Sequence, residues 1–173
     1  MQTYFSVVGY GRSGKTTLIR KLVKELRSRS YKIAVVKHDP KEHGVVDKEG
    51  SDTALFWEAG SEAVILASPS RFTLFKRTEE DLQLEKILSL CGDVDFVILE
   101  GYKNRPYPRV ILWSEQGGPE LPGSNVLAIV YKKKDKQKVL METEGKQAPL
   151  ICRDDIKRLA DLLVTSLLRD SAV

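Results

Sequence analysis

The sequence predicts an α/β chain built on a mostly parallel sheet with helices on both faces. Three observations carry this. Residues 4–36 read as strand, glycine-rich loop, amphipathic helix and second strand, the order of a parallel βαβ unit with its right-handed crossover. Asp95-Phe96-Val97-Ile98-Leu99 and Val126-Leu127-Ala128-Ile129-Val130 are short apolar runs suited to strands covered on both sides. Near the C-terminus, Ile156, Leu159, Leu163 and Leu167 recur at helical spacing and give a helix with one apolar face.

Composition sets the outer bounds. A chain of 173 residues is most simply a single domain over 1–173, large enough to bury about 70% of its unfolded surface. Hydrophobic residues make up 42% and charged residues 30%, as in an ordinary globular protein. The formal charge of +4 suits an anionic ligand but is too small and dispersed to argue for nucleic acid. No apolar run approaches a membrane span, and the N-terminus lacks the pattern of a signal peptide. Cys91 and Cys152 are far apart and read as free thiols, so a reducing cytoplasm is expected.

Taken in order, the first strand is Tyr4-Phe5-Ser6-Val7-Val8. The helix after the glycine-rich loop carries Leu18, Leu22, Val23 and Leu26, and the second strand is Lys32-Ile33-Ala34-Val35-Val36. Residues 37–51 form a long polar loop. Asp52 is expected to cap a short helix through Trp57, stopped by Gly60. Residues 63–66 and 72–75 read as two strands joined by the turn Ser68-Pro69-Ser70. Thr78 and Asp81 resemble a capping box for a helix carrying Leu82, Ile87, Leu88 and Leu90 and ending at Gly92. After the strand ending at Glu100-Gly101, residues 102–123 hold four of the seven prolines and form an excursion around the short strand Val110-Ile111-Leu112-Trp113. A basic, polar segment follows from Lys132, then Pro149-Leu150-Ile151, and Asp154 or Asp155 caps the last helix. No repeat, low-complexity tract or interdomain linker is visible.

The chemistry concentrates in Gly9-Tyr10-Gly11-Arg12-Ser13-Gly14-Lys15-Thr16, a full G-x-x-x-x-G-K-[ST] match between strand and helix. Gly9, Gly11 and Gly14 let the backbone turn and bring N–H groups to phosphate oxygens. The helix start, with Ser13 and Thr17 beside it, adds unpaired donors and a partial positive charge. Lys15 supplies a point charge for the terminal phosphates, and the Thr16 hydroxyl can ligate Mg²⁺. A glycine-rich turn capped by Ser13 is the bland alternative. The strand before and the helix after it favour a nucleoside triphosphate site in a P-loop NTPase-like fold.

Other residues extend that site. Glu100 stands at a strand's C-terminal end, where it can hold a magnesium-bound water or orient an attacking one, unless it is merely a solvated strand end. Asp95 begins the same strand and should lie at the wrong edge. His38, His43, Asp47 and Asp52 share the loop after the second strand, either as a switch meeting the γ-phosphate and its Mg²⁺ or as a solvated polar loop. Lys37 ends that strand and is a candidate phosphate contact. In Lys132-Lys133-Lys134-Asp135, Lys133 and Asp135 fit a guanine-binding Asn/Thr-Lys-x-Asp element, although Lys132 replaces the first residue. A solvated charge run is the simpler reading there. Arg12, the one arginine in the loop, is a candidate for transition-state charge. Trp57 and Trp113 read as core or interface aromatics.

With Gly9 to Thr16, Lys37-His38, Asp47-Gly50-Asp52 and Glu100-Gly101-Tyr102-Lys103 in that order, the chain resembles the MobB family, bacterial adapter proteins of molybdopterin-guanine dinucleotide biosynthesis. The likeness covers about the first 110 residues. It departs where Asp39-Pro40-Lys41-Glu42 precede His43, since the family often carries more histidines there. The resemblance implies a cytoplasmic homodimer that binds GTP with Mg²⁺ and hydrolyses it weakly if at all. It also implies a partnership with the guanylyltransferase that joins GMP to molybdopterin, and with a molybdopterin-containing species. Two other readings stand beside the adapter. A small P-loop kinase would need a lid, for which Arg71, Arg77, Arg105 and Arg109 are candidates. A metal-insertion chaperone would want a Cys- or His-rich site, and two isolated cysteines argue against it.

Overall fold

A computed structural model describes residues 2–39, 44, 47–119, 125–144 and 148–168. His43 and Pro122 lie outside the described residues. The chain forms two compact units, one of Met1–His38 with Leu88–Val173 and one of Asp39–Ile87.

The first unit is built on six strands, β1 (Thr3–Val8), β2 (Ile33–Lys37), β5 (Phe96–Glu100), β6 (Arg109–Leu112), β7 (Val126–Tyr131) and β8 (Leu150–Cys152). They pair in the order β2-β5-β1-β6-β7-β8, and every pairing is parallel. Side chains alternate across this sheet because the strand period is two. Phe5, Val7, Val110, Leu112, Ala128 and Val130 face α1 (Lys15–Ser28) and α5 (Ile156–Leu168). Val8, Ile111, Trp113, Ile129 and Tyr131 face the other way, onto Val139 of α4 (Lys136–Glu142). Helices therefore cover both faces, as the continuous apolar strands required. Trp113 belongs to this second core, not to an exposed site.

The second unit holds α2 (Asp52–Glu58) and the antiparallel pair β3 (Ala63–Ser68) and β4 (Arg71–Lys76). Arg77 binds the unit together: its guanidinium lies 4.2 Å over the Trp57 ring and donates to the Trp57 carbonyl at 2.7 Å and the Ser61 carbonyl at 3.2 Å. No helix of the described residues is long and apolar enough to cross a membrane.

Three local expectations are corrected. Ser51, not Asp52, caps α2: its hydroxyl accepts the Ala54 N–H at 3.3 Å while its own backbone stays extended. Asp52 instead occupies the first turn, where a negative charge meets the helix's positive end. The helix α3 (Leu84–Ser89) starts six residues beyond Thr78, so no capping box forms there. Its buried pair is Leu84 and Leu88, one turn apart, while Leu82 and Leu90 are exposed; the run of acids at 79–81 gives an earlier turn nothing to bury. The basic segment after β7 becomes a 3₁₀ turn (Lys133–Asp135) leading into α4. That helix buries only Val139, too little to leave a periodic signal.

Candidate phosphate-binding site

The loop between β1 and α1 leaves the centre of the sheet where chain connections diverge to opposite sides, the position at which open α/β sheets form a ligand crevice. Gly9 and Gly14 are required by geometry. A Cβ on Gly9 would lie 2.8 Å from the Leu112 carbonyl and 2.9 Å from Ser13 Oγ, so the loop leaves no room for a side chain. Gly14 is the N-cap of α1 with φ 96°, a left-handed conformation that glycine adopts freely. Ser13 is buried and does not cap the helix, contrary to the bland alternative; its hydroxyl has no hydrogen-bond partner. The first turn of α1 thus has neither a side-chain cap nor an acidic residue, and its N–H groups and dipole remain available to an anion.

The charged groups converge on that turn. Lys15 folds back over the loop, its Nζ donating to the carbonyls of Gly9 at 3.2 Å and Tyr10 at 3.0 Å. The Thr16 hydroxyl donates to the Glu100 carboxylate, 3.0 Å from Oε1 and 3.3 Å from Oε2. Glu100 ends β5 beside β1, paired in register with Val7 on one side and Lys37 on the other. Parallel pairing puts Lys37 and Glu100 on the same face at the same end of the sheet. Asp95 lies at the opposite end, accepting the Lys32 N–H at 2.7 Å. A hydroxyl and a carboxylate are hard oxygen donors of the kind Mg²⁺ takes alongside phosphate and water. The residues present fit Mg²⁺ with a triphosphate.

The remaining candidates divide. Arg12 is exposed at φ 58°, in the same loop as Lys15. Thr17 sits in the exposed first turn. The His38 ring lies 5.0 Å from that of Tyr102, and the His38 backbone N–H donates to the Glu100 carbonyl at 3.2 Å. Asp47 and Asp52 belong to the second unit. Asp47 braces its own loop, accepting the Lys48 N–H at 2.7 Å and the Thr53 hydroxyl. Those two bonds, with help from Ser51, hold its carboxyl below the usual carboxylate range. Asp135 follows β7 in the 3₁₀ turn, with its Oδ2 shielded from solvent and lacking a hydrogen-bond partner. Lys134 pairs instead with Glu115. Among the kinase-lid candidates, Arg109 is buried and donates to the carbonyls of Lys103 at 3.4 Å and Arg105 at 3.0 Å. Arg77 and Arg109 therefore hold backbone, which leaves Arg71 and Arg105 exposed.

Sequence reasoning missed Arg153. It follows β8, and its guanidinium reaches the Gly14 carbonyl at 3.4 Å. The only available signal was its place just past a short apolar run and just before a helix cap, the same strand-end setting as Glu100.

Residues 4–132 match the family model of molybdopterin guanine dinucleotide synthesis protein B. The chain is 37% identical over 119 residues to the molybdopterin-guanine dinucleotide biosynthesis adapter protein of Haemophilus influenzae, across 67% of this chain and 66% of that one. It is 30% identical over 170 residues to the "Probable molybdopterin-guanine dinucleotide biosynthesis adapter protein" of Bacillus subtilis, across 96% of this chain and 94% of that one. It spans 66% of the Haemophilus influenzae relative and 59% of a Methanocaldococcus jannaschii relative, less than two thirds of each. Among solved structures, Bacillus subtilis MobB superposes with a TM-score of 0.72 at 26% identity, covering 95% of this chain and 98% of that one. A MobB homologue from Bacillus stearothermophilus, at 22% identity and a TM-score of 0.65, shares the fold.

Proposed function

The chain belongs to the molybdopterin guanine dinucleotide synthesis protein B family, and from that premise we propose that it is a GTP-binding adapter for molybdopterin guanine dinucleotide formation. The observation that carries this reading is the Thr16–Glu100 bridge beside an uncapped helix N-terminus. Gly9, Gly11, Ser13, Gly14 and Thr17 line the phosphates with backbone N–H groups, and Lys15 exchanges its two carbonyl bonds for phosphate oxygens. Thr16 and Glu100 hold Mg²⁺, which neutralises charge on the terminal phosphates. Asp135 accepts from the N1–H and 2-amino group of guanine, and its shielded, partnerless oxygen supports that assignment. The internal bonds of Asp47 favour bracing its loop over direct coordination, and Asp52 stands exposed in the first turn of α2.

Hydrolysis is weak. Arg12 is the one loop arginine available for transition-state charge, and it is exposed. The partner is the guanylyltransferase that joins GMP to molybdopterin, met in the cytoplasm with its molybdopterin-containing species. A second copy of the chain completes the assembly. Ile65, Ala67, Phe72 and Leu74 share one face of the β3–β4 pair, and the pair has no third strand among the described residues. Phe72 is 73% and Ile65 65% exposed. A two-stranded sheet with an apolar face is marginal alone, and a self-complementary patch suits a twofold dimer.

The test is titration of GTP in Mg²⁺ against the unsubstituted chain and Lys15→Ala. Loss of a charge-assisted phosphate contact should weaken binding about ten- to a hundredfold without unfolding the protein. Unaltered affinity in Lys15→Ala would remove the phosphate-loop assignment.

A further inference from the structure

Arg153 is the first residue past β8, and its N–H donates to the Tyr131 carbonyl at 2.8 Å, so the chain turns off the sheet at once. Its half-buried guanidinium lies at the N-terminus of α1: one Nη is 3.4 Å from the Gly14 carbonyl, and a Cβ on Gly14 would approach the same nitrogen to 2.5 Å. A guanidinium carries five N–H donors. Only one of them meets an acceptor here, and no carboxylate of the described residues pairs with it. The neighbouring acids are committed elsewhere: Asp154 accepts from Lys21 Nζ at 3.3 Å, and Asp155 accepts the Arg158 N–H at 3.3 Å. Among the described residues, the arginine that stands against the phosphate-binding loop is thus uncompensated.

Sheet order gives its target. Glu100 ends β5 on one side of β1, whereas β7 and β8 lie two and three strands away on the other. With metal-bearing phosphates at Thr16 and Glu100, a nucleoside running across the start of α1 would reach toward β7 and β8. Two to three strand spacings are about 10–15 Å, which an extended triphosphate and ribose cover. Tyr131 pairs with Cys152 and brings the ends of β7 and β8 side by side, and the segments that follow these ends carry two side-chain groups of opposite chemistry. Asp135 offers a shielded oxygen without a donor; Arg153 offers donors without acceptors.

We infer that Arg153 reads a bound guanine from its Hoogsteen edge, donating two N–H bonds to O6 and N7 while Asp135 takes N1–H and the 2-amino group. The inference rests on the guanine-nucleotide reading above and deepens it. The planar fork of arginine matches the O6/N7 acceptor pair. Adenine places an amino donor where O6 stands and has no hydrogen on N1, so Arg153 would keep only its bond to N7 and Asp135 would lose the N1–H and 2-amino donors. Arg153 is in this sense a specificity-determining residue.

The test compares GTP with 7-deaza-GTP, which lacks only the N7 acceptor, on the unsubstituted chain and on Arg153→Met. The unsubstituted protein should bind GTP about ten times more tightly than the deaza analogue, and Arg153→Met should bind the two alike. Equal binding by the unsubstituted chain overturns the assignment without any variant having to fold. A variant that weakens both nucleotides while keeping their ratio places the guanidinium on phosphate and also overturns it. Both outcomes leave GTP binding itself intact. Failure of the unsubstituted chain to bind GTP would instead remove the underlying reading and this one with it.

Discussion

Arg12 holds φ 58° in the phosphate-binding loop, where a side chain with a Cβ costs about 1–2 kcal/mol and glycine costs far less. An exposed arginine kept at that cost in the loop supports its proposed assignment to transition-state charge. Glu100 is the sharper case. Its carboxylate receives the Thr16 hydroxyl, so glutamine in its place keeps one acceptor oxygen and the shape but loses the charge. Glu100→Gln should therefore retain GTP binding while magnesium dependence weakens and residual hydrolysis falls about a hundredfold. Phosphate release measured across a Mg²⁺ titration checks this, and unchanged curves would return Glu100 to a structural part.

At the scale of elements, the β3–β4 pair carries more exposed apolar surface than a two-stranded sheet tolerates alone. Phe72 and Ala67 pair across the strands, as do Ile65 and Leu74, so one face is almost wholly apolar. A carboxylate placed there opposes its own copy across a twofold axis and must be desolvated on association. On the proposed twofold dimer, Phe72→Asp should convert dimer to monomer and raise the dissociation constant at least about a hundredfold, with any GTP affinity unchanged. Light scattering over a concentration series reads this; a variant that stays dimeric, or an unsubstituted chain that is monomeric, would move the interface elsewhere. The loop ahead of α2 shows the opposite economy. Asp47 is held by Lys48 and Thr53, and because its folded pKa is depressed, that brace is complete above the ordinary carboxylate range and is lost as pH falls through the lowered value.

For the whole molecule, the proposed function requires a site that holds a triphosphate well and hydrolyses it poorly. Lys15 and a bound Mg²⁺ would neutralise the ground state, but the charge that develops on the transferring phosphoryl group would need another cation. A supplied arginine contributes about 10³–10⁵ in rate. The purified chain should bind GTP stoichiometrically and release phosphate on the order of 10⁻⁴ to 10⁻³ per second. Single-turnover measurement decides the point. Fast release by the chain alone, or phosphate on an added small-molecule acceptor, would favour the kinase.

The sequence by itself determined the parallel α/β sheet, the glycine loop, and the arrival of Glu100 at a strand's C-terminal end, because each is written in neighbouring residues. Apolar runs, helical spacing and glycines within one short stretch are local signals, and they survive without knowledge of the fold. Only the tertiary structure decided that Thr16 meets Glu100, 84 residues away in sequence, and that Arg153 reaches Gly14, 139 residues away. It also decided that Arg77 and Arg109 serve backbone carbonyls and that Ser13 caps nothing. An arginine's side chain looks the same in sequence whether it will hold a carbonyl, stack on a ring or stand free. Strand order sets which of these it meets, and strand order depends on non-local pairing that no short window of residues contains.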